Sequence, residues 1–435
     1  MRYPPSLLDD IRARLPVSVV VGRRVKLSRA GREWKGLSPF NQEKTPSFFV
    51  NDQKGSFFDF SSGRNGDIFK FLMETEGLSF PEAVEKLAAE AGVPLPKMDA
   101  EASRIEEQRK GLNEAMELAA QFFERQLEDM AGRSARDYLK NRDLPRDVQK
   151  TFRIGYAPAE RHALRDHLAG KNVPLDVMIE AGLLIAGDDI PVPYDRFRDR
   201  VMFPIADGRG RIIAFGGRAL QKDAQAKYLN SPETPLFHKG RTLYNLDKAR
   251  KAAHDKGQLI AVEGYVDVIA MTRAGFAETV APLGTALTED QLNLMWRMTG
   301  EPILCFDGDK AGIKAAHRAI DVALSHLQPG RTLRFAFLPG GQDPDELLRS
   351  AGAEAVAAVV TKPHSFVDVL FQREAEREPL DTPERRADLE KRLRECVGQI
   401  KDEVVRKHYR EAMDERIRSL FAPQRRGGGQ GGGGG

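Results

Sequence analysis

Three groups of carboxylates stand at or just past apolar runs in the second half of the chain. Leu259-Ile260-Ala261-Val262 leads into Glu263-Gly264-Tyr265-Val266-Asp267, Ile303-Leu304-Cys305-Phe306 into Asp307-Gly308-Asp309, and Leu333 to Leu338, after Gly340-Gly341, into Asp343-Pro344-Asp345. Apolar runs of that length separated by helix-period segments read as buried parallel strands, and ligands collect at the carboxyl ends of such strands. Six carboxylates delivered there would repel one another unless a cation neutralised them. Hard oxygen donors that work on phosphate favour Mg²⁺ or Mn²⁺, so the pattern predicts a phosphoryl-transfer site with divalent metal. Glu263, closing its strand, can act as general base or as ligand. Asp267 falls on the first turn of the next helix, with Gly264 relaxing the backbone between them. Asp307 and Asp309, two apart on extended chain, share a face, and the spacing recurs in Asp343 and Asp345. Helix caps and turn formers are the competing reading, and three clusters in one stretch weigh against it. No Walker loop is present. Gly284-Thr285 either meets phosphate or makes an ordinary strand-to-helix turn.

Upstream lies a basic neighbourhood. Two apolar runs, Val201 to Ile205 and Ile212 to Phe215, flank Asp207-Gly208-Arg209-Gly210, a hairpin signal. Around it stand Arg196, Arg198, Arg200, Arg218, Lys227, Lys239 and Arg241, which beside an acidic site suit polyphosphate or nucleic-acid backbone better than a solvated face. The stretch from Trp34 to Phe71 and its approach interleave aromatics with cations such as Arg32, Lys35, Lys44, Lys54 and Arg64. Such a mixture suits single-stranded nucleic acid, although most of its phenylalanines are expected to form the core of a small β domain.

The elements that must position these groups follow from pattern. A helix is predicted from Ser6, with Asp9 completing a capping-box-like start. Short β-type runs follow at Val17 to Val21 and Arg24 to Leu27, then a loop at Ala30-Gly31-Arg32. A further helix is predicted from an Ser79 cap to a Gly92 stop. The charged segment Asp99 to Lys110 begins a long connecting helix, and Leu112 to about Leu183 has helical spacing. Thr382-Pro383-Glu384 opens one of two terminal helices that pack on each other, with Leu389, Leu393 and Cys396 on the first and Val405, Tyr409 and Met413 on the second.

The 435 residues call for two to four domains, and a net charge of +3 places any nucleic-acid surface in local clusters rather than in the total. Cys305 and Cys396 read as buried thiols. No run of about eighteen apolar residues exists, and Asp9 and Asp10 stand where a secretory signal needs an apolar core. A soluble, cytoplasmic protein with no membrane partner is predicted.

The pattern Glu263-Gly264-Tyr265-x-Asp267, Asp307-Gly308-Asp309-x-Ala311-Gly312 and Asp343-Pro344-Asp345 resembles the Toprim domain of primases, topoisomerases and some nucleases. Tyr194-Asp195-Arg196-Phe197-Arg198, Phe215-Gly216-Gly217-Arg218, Lys227 to Thr234 and Phe237-His238-Lys239-Gly240-Arg241 further resemble the bacterial replicative DNA primases. The resemblance runs from about residue 3 to about 350. It implies a multidomain α/β protein: a zinc-ribbon-like β domain over 1–100, a linker over 101–115 and an α+β subdomain with a basic template surface over 116–245. A Toprim α/β subdomain over 246–350, a helical subdomain over 351–421 and a glycine-rich tail over 422–435 complete it. The implied activity is synthesis of short RNA primers on single-stranded DNA from ribonucleoside triphosphates. Glu263 would be the general base and Asp309 a second catalytic carboxylate. Glu263, Asp267, Asp307, Asp309, Asp343 and Asp345 would hold two or more Mg²⁺ or Mn²⁺ ions. Arg142, Arg198, Arg200, Arg218, Lys227, Lys239 and Arg241 match template- and nucleotide-binding positions.

One departure is large. The family's zinc ribbon uses a Cys-Pro-Phe-His pair and a Cys-x-x-Cys pair, whereas here Ser38-Pro39-Phe40-Asn41 and Asp59 with Ser62 fill those places. No Cys or His precedes His162, so no tetrahedral zinc site of nitrogen and sulfur ligands can form, and the domain is expected to hold no zinc. Aromatic packing and hydrogen bonds among Ser38, Asn41, Asp59 and Ser62 are expected to take the metal's place. The family's partner is a replicative helicase, and the resemblance as read places no helicase-binding domain in this chain. The competing functions are a Toprim nuclease, which would cut DNA without nucleotides, and an inactive single-stranded DNA-binding module, against which the intact acidic pattern argues.

Overall fold

The computed structural model describes residues 3, 5–95, 100–221, 223–283 and 286–421; Gly284-Thr285 and the glycine-rich tail lie outside the described residues. Chain contacts divide the protein into two units, Met1–Ile105 and Glu106–Gly435.

The first unit is a five-stranded antiparallel meander, Ser28–Ala30, Glu33–Gly36, Phe48–Asn51, Ser56–Asp59 and Asn65–Gly66, with helices Ile68–Glu76 and Phe80–Ala91 on the core side. Alternation decides which phenylalanines go inside: Phe48, Val50 and Phe57 are buried while Phe58 and Phe60 stay exposed. Phe48 and Phe57 stack at 5.3 Å, and Phe40 and Phe71 close around them. The Ser79 capping box with Glu82 and the left-handed Gly92 stop form as the spacing predicts. Val17 to Val21 does not form a strand. After Pro16 it makes a short helix, Val17–Gly22, because Val17, Val20 and Val21 recur at helical spacing and all three reach the core. The first helix begins at Pro5, one residue ahead of the expected Ser6, and Asp9 pairs with Arg12.

The second unit holds two principal sheets. One is antiparallel, in the order Tyr228–Asn230, Ile212–Ala219, Arg200–Ala206, Gly155–Ala157; the Asp207-to-Gly210 hairpin joins its central strands. Asp207 accepts from the backbone of Arg209 and Arg211, which holds the turn. The edge strand Gly155–Ala157 interrupts what the spacing read as an all-helical stretch. The other sheet has six strands. Its centre is parallel, Thr279–Pro282, Ile260–Ala261, Ile303–Phe306 and Arg334–Phe337, and antiparallel edges come from Leu243–Tyr244 and His364–Ser365. Helices Tyr265–Arg273, Glu289–Met298, Lys310–Leu324 and Pro344–Val360 complete the α/β arrangement read from the apolar runs. The terminal helices Pro383–Gly398 and Glu403–Phe421 pack through Leu389, Leu393, Val397 and Met413, and both cysteines are buried free thiols. No helix among the described residues is long and apolar enough to cross a membrane.

Candidate active site

All three acidic groups arrive where parallel strands end. Glu263 lies two residues beyond Ile260–Ala261, Asp307 directly beyond Ile303–Phe306, and Asp343 caps the helix Pro344–Val360 that follows Arg334–Phe337. Glycines let the loops close. A Cβ on Gly308 would stand 1.8 Å from the Leu338 carbonyl oxygen, so only glycine lets the Asp307–Asp309 turn lie against the neighbouring strand's exit. Gly308→Ala is therefore expected to destabilise the protein by about 1–3 kcal/mol, measured by urea denaturation, since the clash is with backbone and cannot be relieved by a rotamer. Gly264 has extended backbone, φ −133°, so it is not there for flexibility. A Cβ there would stand 2.9 Å from the Asp267 carboxylate; the missing side chain makes room for Asp267 to accept the Gly264 N–H.

Two of the acids are also helix caps. Asp309 accepts from the N–H groups of Ala311 and Gly312 at 2.8 Å, and Asp343 from Glu346 at 2.7 Å, through Oδ1 in each case. The capping bonds use only Oδ1 of each Asp.

Electrostatics links five of the six. Burial, then Asp343 and Asp307, push the Asp267 carboxyl up to about 8, although the Gly264 N–H opposes this and Glu263 adds to it. Burial, then Glu263, Asp343 and Asp309, push Asp307 up to about 7. Glu263 is also raised, by burial and by Asp309, against the Asp307 N–H and Arg318. Among the described residues no three His, Cys, Asp or Glu side chains already converge tightly enough to hold an ion. The donor set nevertheless fits one: hard carboxylate oxygens whose charges raise the proton affinity of Glu263, Asp267 and Asp307 are what a divalent cation would relieve.

Asp345 departs from the expected role. It is fully buried and its Oδ2 is taken by two guanidiniums, Arg142 at 2.7 Å and Arg349 at 3.0 Å. It anchors Arg142 instead of joining the shared acidic field.

The antiparallel sheet meets the acidic one through a contact that joins two sequence motifs. The Tyr265 ring would overlap a Cβ on Gly216, and its hydroxyl donates to Asn230 at 2.7 Å. On that side the Arg218 guanidinium lies 4.0 Å from the Tyr138 ring centre, and Arg142 lies 6.0 Å from the same ring. Arg198 and Lys227 sit by Tyr194 and Tyr228. Arg200 instead braces the sheet, donating to the Gly217 and Ala226 carbonyls, and Arg241 pairs with Asp290. Lys239 lies with Arg241 on a short 3-10 turn. Tyr138 and Arg318 escape a sequence reading, since each lies in an ordinary amphipathic helix with no motif around it.

In the first unit, three of the four positions where the resemblance puts zinc ligands, Ser38, Asp59 and Ser62, meet at the Asp59 carboxylate. Asp59 is fully buried and accepts from the hydroxyls of Ser38 at 2.7 Å, Ser62 at 2.5 Å, Ser61 at 2.9 Å and Ser47 at 3.3 Å. Burial alone would raise its proton affinity, but the hydroxyls of Ser62, Ser38 and Ser61 and the Ser61 N–H hold it below the usual carboxylate range. Asn41 joins at one remove, donating its side-chain amide to Ser61 and its N–H to Ser38.

A basic antiparallel sheet set against a parallel sheet with carboxylates at its strand ends is the build of a Toprim enzyme of nucleic-acid metabolism. Consecutive segments match four known families: the CHC2 zinc finger over 3–103, the N-terminal domain of the DNA primase catalytic core over 122–250, the Toprim domain over 257–334, and the DnaB-helicase binding domain of primase over 367–418. The chain is 40% identical over 418 residues to the DNA primase of Escherichia coli K12, covering 96% of this chain and 72% of that protein. It is 44% identical over 375 residues to the DNA primase of Pseudomonas putida, 85% of this chain and 56% of that protein, so it spans little more than half of that relative's length. A solved structure of the zinc binding and RNA polymerase domains of Aquifex aeolicus primase superposes with a TM-score of 0.61 at 31% identity, covering 95% of this chain and 96% of that one. The chain belongs to the bacterial DnaG-type DNA primases.

The expectation that no helicase-binding domain is present is thereby corrected: residues 367–418 match one. In sequence those residues show only the stripes of packing helices. A docking surface on a helix pair carries no residue signature of its own, because the same buried stripe serves the fold and the polar face serves the partner.

Proposed function

We propose that the chain is a DNA-directed RNA polymerase that makes short RNA primers on single-stranded DNA from ribonucleoside triphosphates. The observation that carries this reading is the shared field of Glu263, Asp267, Asp307, Asp309 and Asp343 beside the arginine-bearing sheet. In such a reaction the primer 3′-hydroxyl attacks the α-phosphorus, a new P–O bond forms, the bond to the bridging oxygen breaks and pyrophosphate leaves. Mg²⁺ or Mn²⁺, held by Asp267, Asp307, Asp309 and Asp343, would neutralise charge on the phosphates and acidify the attacking hydroxyl. Glu263, with its raised proton affinity, takes the hydroxyl proton. Arg218 and Lys227, with Arg198 and Lys239, neutralise template backbone and triphosphate, and Asp345 keeps Arg142 aimed into the same space. Residues 1–100 form the template-reading domain, 116–245 and 246–350 the polymerising core, and the helices of 351–421 carry the surface that meets a helicase.

Incubation with single-stranded DNA, Mg²⁺ or Mn²⁺ and four ribonucleotides is expected to yield short RNAs. Cutting of DNA in the absence of nucleotides would favour a Toprim nuclease. Template binding without synthesis in either metal would favour an inactive binding module.

The ribbon domain, in this proposal, holds no zinc and uses the Asp59 carboxylate as its hub. Elemental analysis is expected to find zinc well below one atom per chain, and stoichiometric zinc in residues 1–100 would overturn the idea. Asp59→Ala leaves the buried Ser38 hydroxyl, and the more exposed hydroxyls of Ser47, Ser61 and Ser62, without their acceptor, so a loss of about 1–3 kcal/mol is expected in denaturant melts. Because the Asp59 proton affinity is depressed in the fold, its contribution is full above about pH 4 and is lost as pH falls through the lower folded value.

A further inference from the structure

We propose that the polymerising unit carries a second, nucleotide-binding cavity that shares no residue with the acidic site. It has a volume of about 740 Å³ and lies between the helices Ala100–Glu128 and Arg146–Thr151, a size suited to one mononucleotide. Partly exposed Leu118, backed by the almost fully buried Leu127 and Ile154, gives it a small apolar patch against which a base can lie, and Arg146, Lys150 and Lys171 line it with cations. Arg146 and Lys150 stand four apart on one helix and so point the same way. Among the described residues these three cations take part in no ion pair, which distinguishes them from the many surface arginines that do. Two further lining cations, Arg125 and Arg153, bring the total to five against Glu124 and Glu128.

The wall is built, not incidental. Arg153 has left-handed backbone, φ 53°, a conformation that a side chain other than glycine, Asn or Asp adopts only when its surroundings hold it there. The hold is visible: its guanidinium donates to Glu124 at 2.6 Å and, through both terminal nitrogens, to Glu117 at 2.9 and 2.8 Å. That network also neutralises Glu124, leaving the cavity's net charge positive. Ile154 continues directly into Gly155–Ala157, the edge strand that pairs Ala157 with Arg200. A ligand on Ile154 therefore sits at the root of the sheet that carries Arg218. An apolar floor with unpaired cations around it fits a nucleoside di- or triphosphate: base below, phosphates against Arg146, Lys150 and Lys171. A bare nucleic-acid backbone would use the cations and leave the apolar floor unfilled.

The test is calorimetric titration of the full chain with ADP in the presence of a chelator, which removes divalent metal from the acidic site. One equivalent is expected to bind, with affinity reduced about tenfold or more in the Arg146→Ala/Lys150→Ala double variant, as expected for loss of charge-assisted contacts to phosphate. The same affinity is expected in Asp309→Asn, which lies in the acidic site. Both replaced cations are solvent-exposed, and unchanged melting of the double variant in the absence of ADP establishes that it is folded. Failure of ADP to bind, or equal binding by parent and double variant, overturns the proposal. So does a dT oligomer that loses affinity in the double variant while ADP does not, because the cations would then be a backbone track. None of these outcomes depends on primer synthesis, so they are separate from the test of the polymerase reading.

Discussion

Glu263→Gln is expected to lower kcat for primer synthesis by about 10²–10⁴-fold while leaving affinity for single-stranded DNA within about twofold. Glutamine keeps the shape of the side chain and can still accept the Asp307 N–H, so the loop should stand. What it cannot do is take a proton. Burial and Asp309 raise the Glu263 proton affinity, which brings the carboxylate nearer to the range in which a general base works, and this is the property the substitution deletes. Asp309→Asn supplies the complementary comparison. Its remaining side-chain oxygen can accept from Ala311 and Gly312, so the helix keeps its cap while the acidic field loses one charge. A fall in kcat for both variants, with unchanged template binding, is the pattern of a catalytic pair. Full activity in both would remove these residues from the chemistry, and loss of template binding in both would mean that the loops had collapsed.

The acidic site is legible in the sequence because parallel strands buried on both faces must be continuous apolar runs, and the chain can place polar groups only where those runs stop. That logic places Glu263, Asp307 and Asp343. It fails for Asp345, because the same two-residue spacing that keeps side chains on one face of an extended strand turns them apart once Asp343 becomes a helix cap. Asp345 is then the second residue of the helix and is buried under Arg142, 203 positions away in the chain. No local pattern reports a partner at that separation. Val17 to Val21 fails for the opposite reason: β-branched residues favour strands on average, but here helical spacing of three buried valines decides. The ribbon's ligand positions show a third case. The resemblance points to Ser38, Asn41, Asp59 and Ser62, a set without cysteine or histidine. That Asp59 accepts from Ser38 and Ser62, with Asn41 held only through Ser61 and Ser38, has no signal in the pattern, since Ser47 and Ser61, outside the ligand frame, complete the shell.

Asp267→Asn is expected to make the metal-free protein more stable at pH 8, by about 2–4 kcal/mol, while impairing primer synthesis. The Asp267 carboxyl titrates near 8 in the folded chain, above the value of about 4 for an unfolded one. The folded state therefore holds a proton that the unfolded state has released, and stability is greatest below about pH 4 and declines as pH rises through about 8. The gain falls short of what a rise from about 4 to about 8 alone would give, because Asp307 shares the field and a proton lost at one of the two sites is partly recovered at the other. Asparagine removes the penalty at its source and should flatten the decline. A divalent cation should restore the parent instead: Mg²⁺ or Mn²⁺ displaces the protons, so its stabilising effect should grow from pH 6 to pH 8 and be much smaller in Asp267→Asn. Thermal melts over that range, with and without metal, read both effects together. If the variant were less stable than the parent at pH 8 and responded to metal as the parent does, then Asp267 would be an ordinary buried partner, and the strain that the site stores for its cation would have to lie elsewhere.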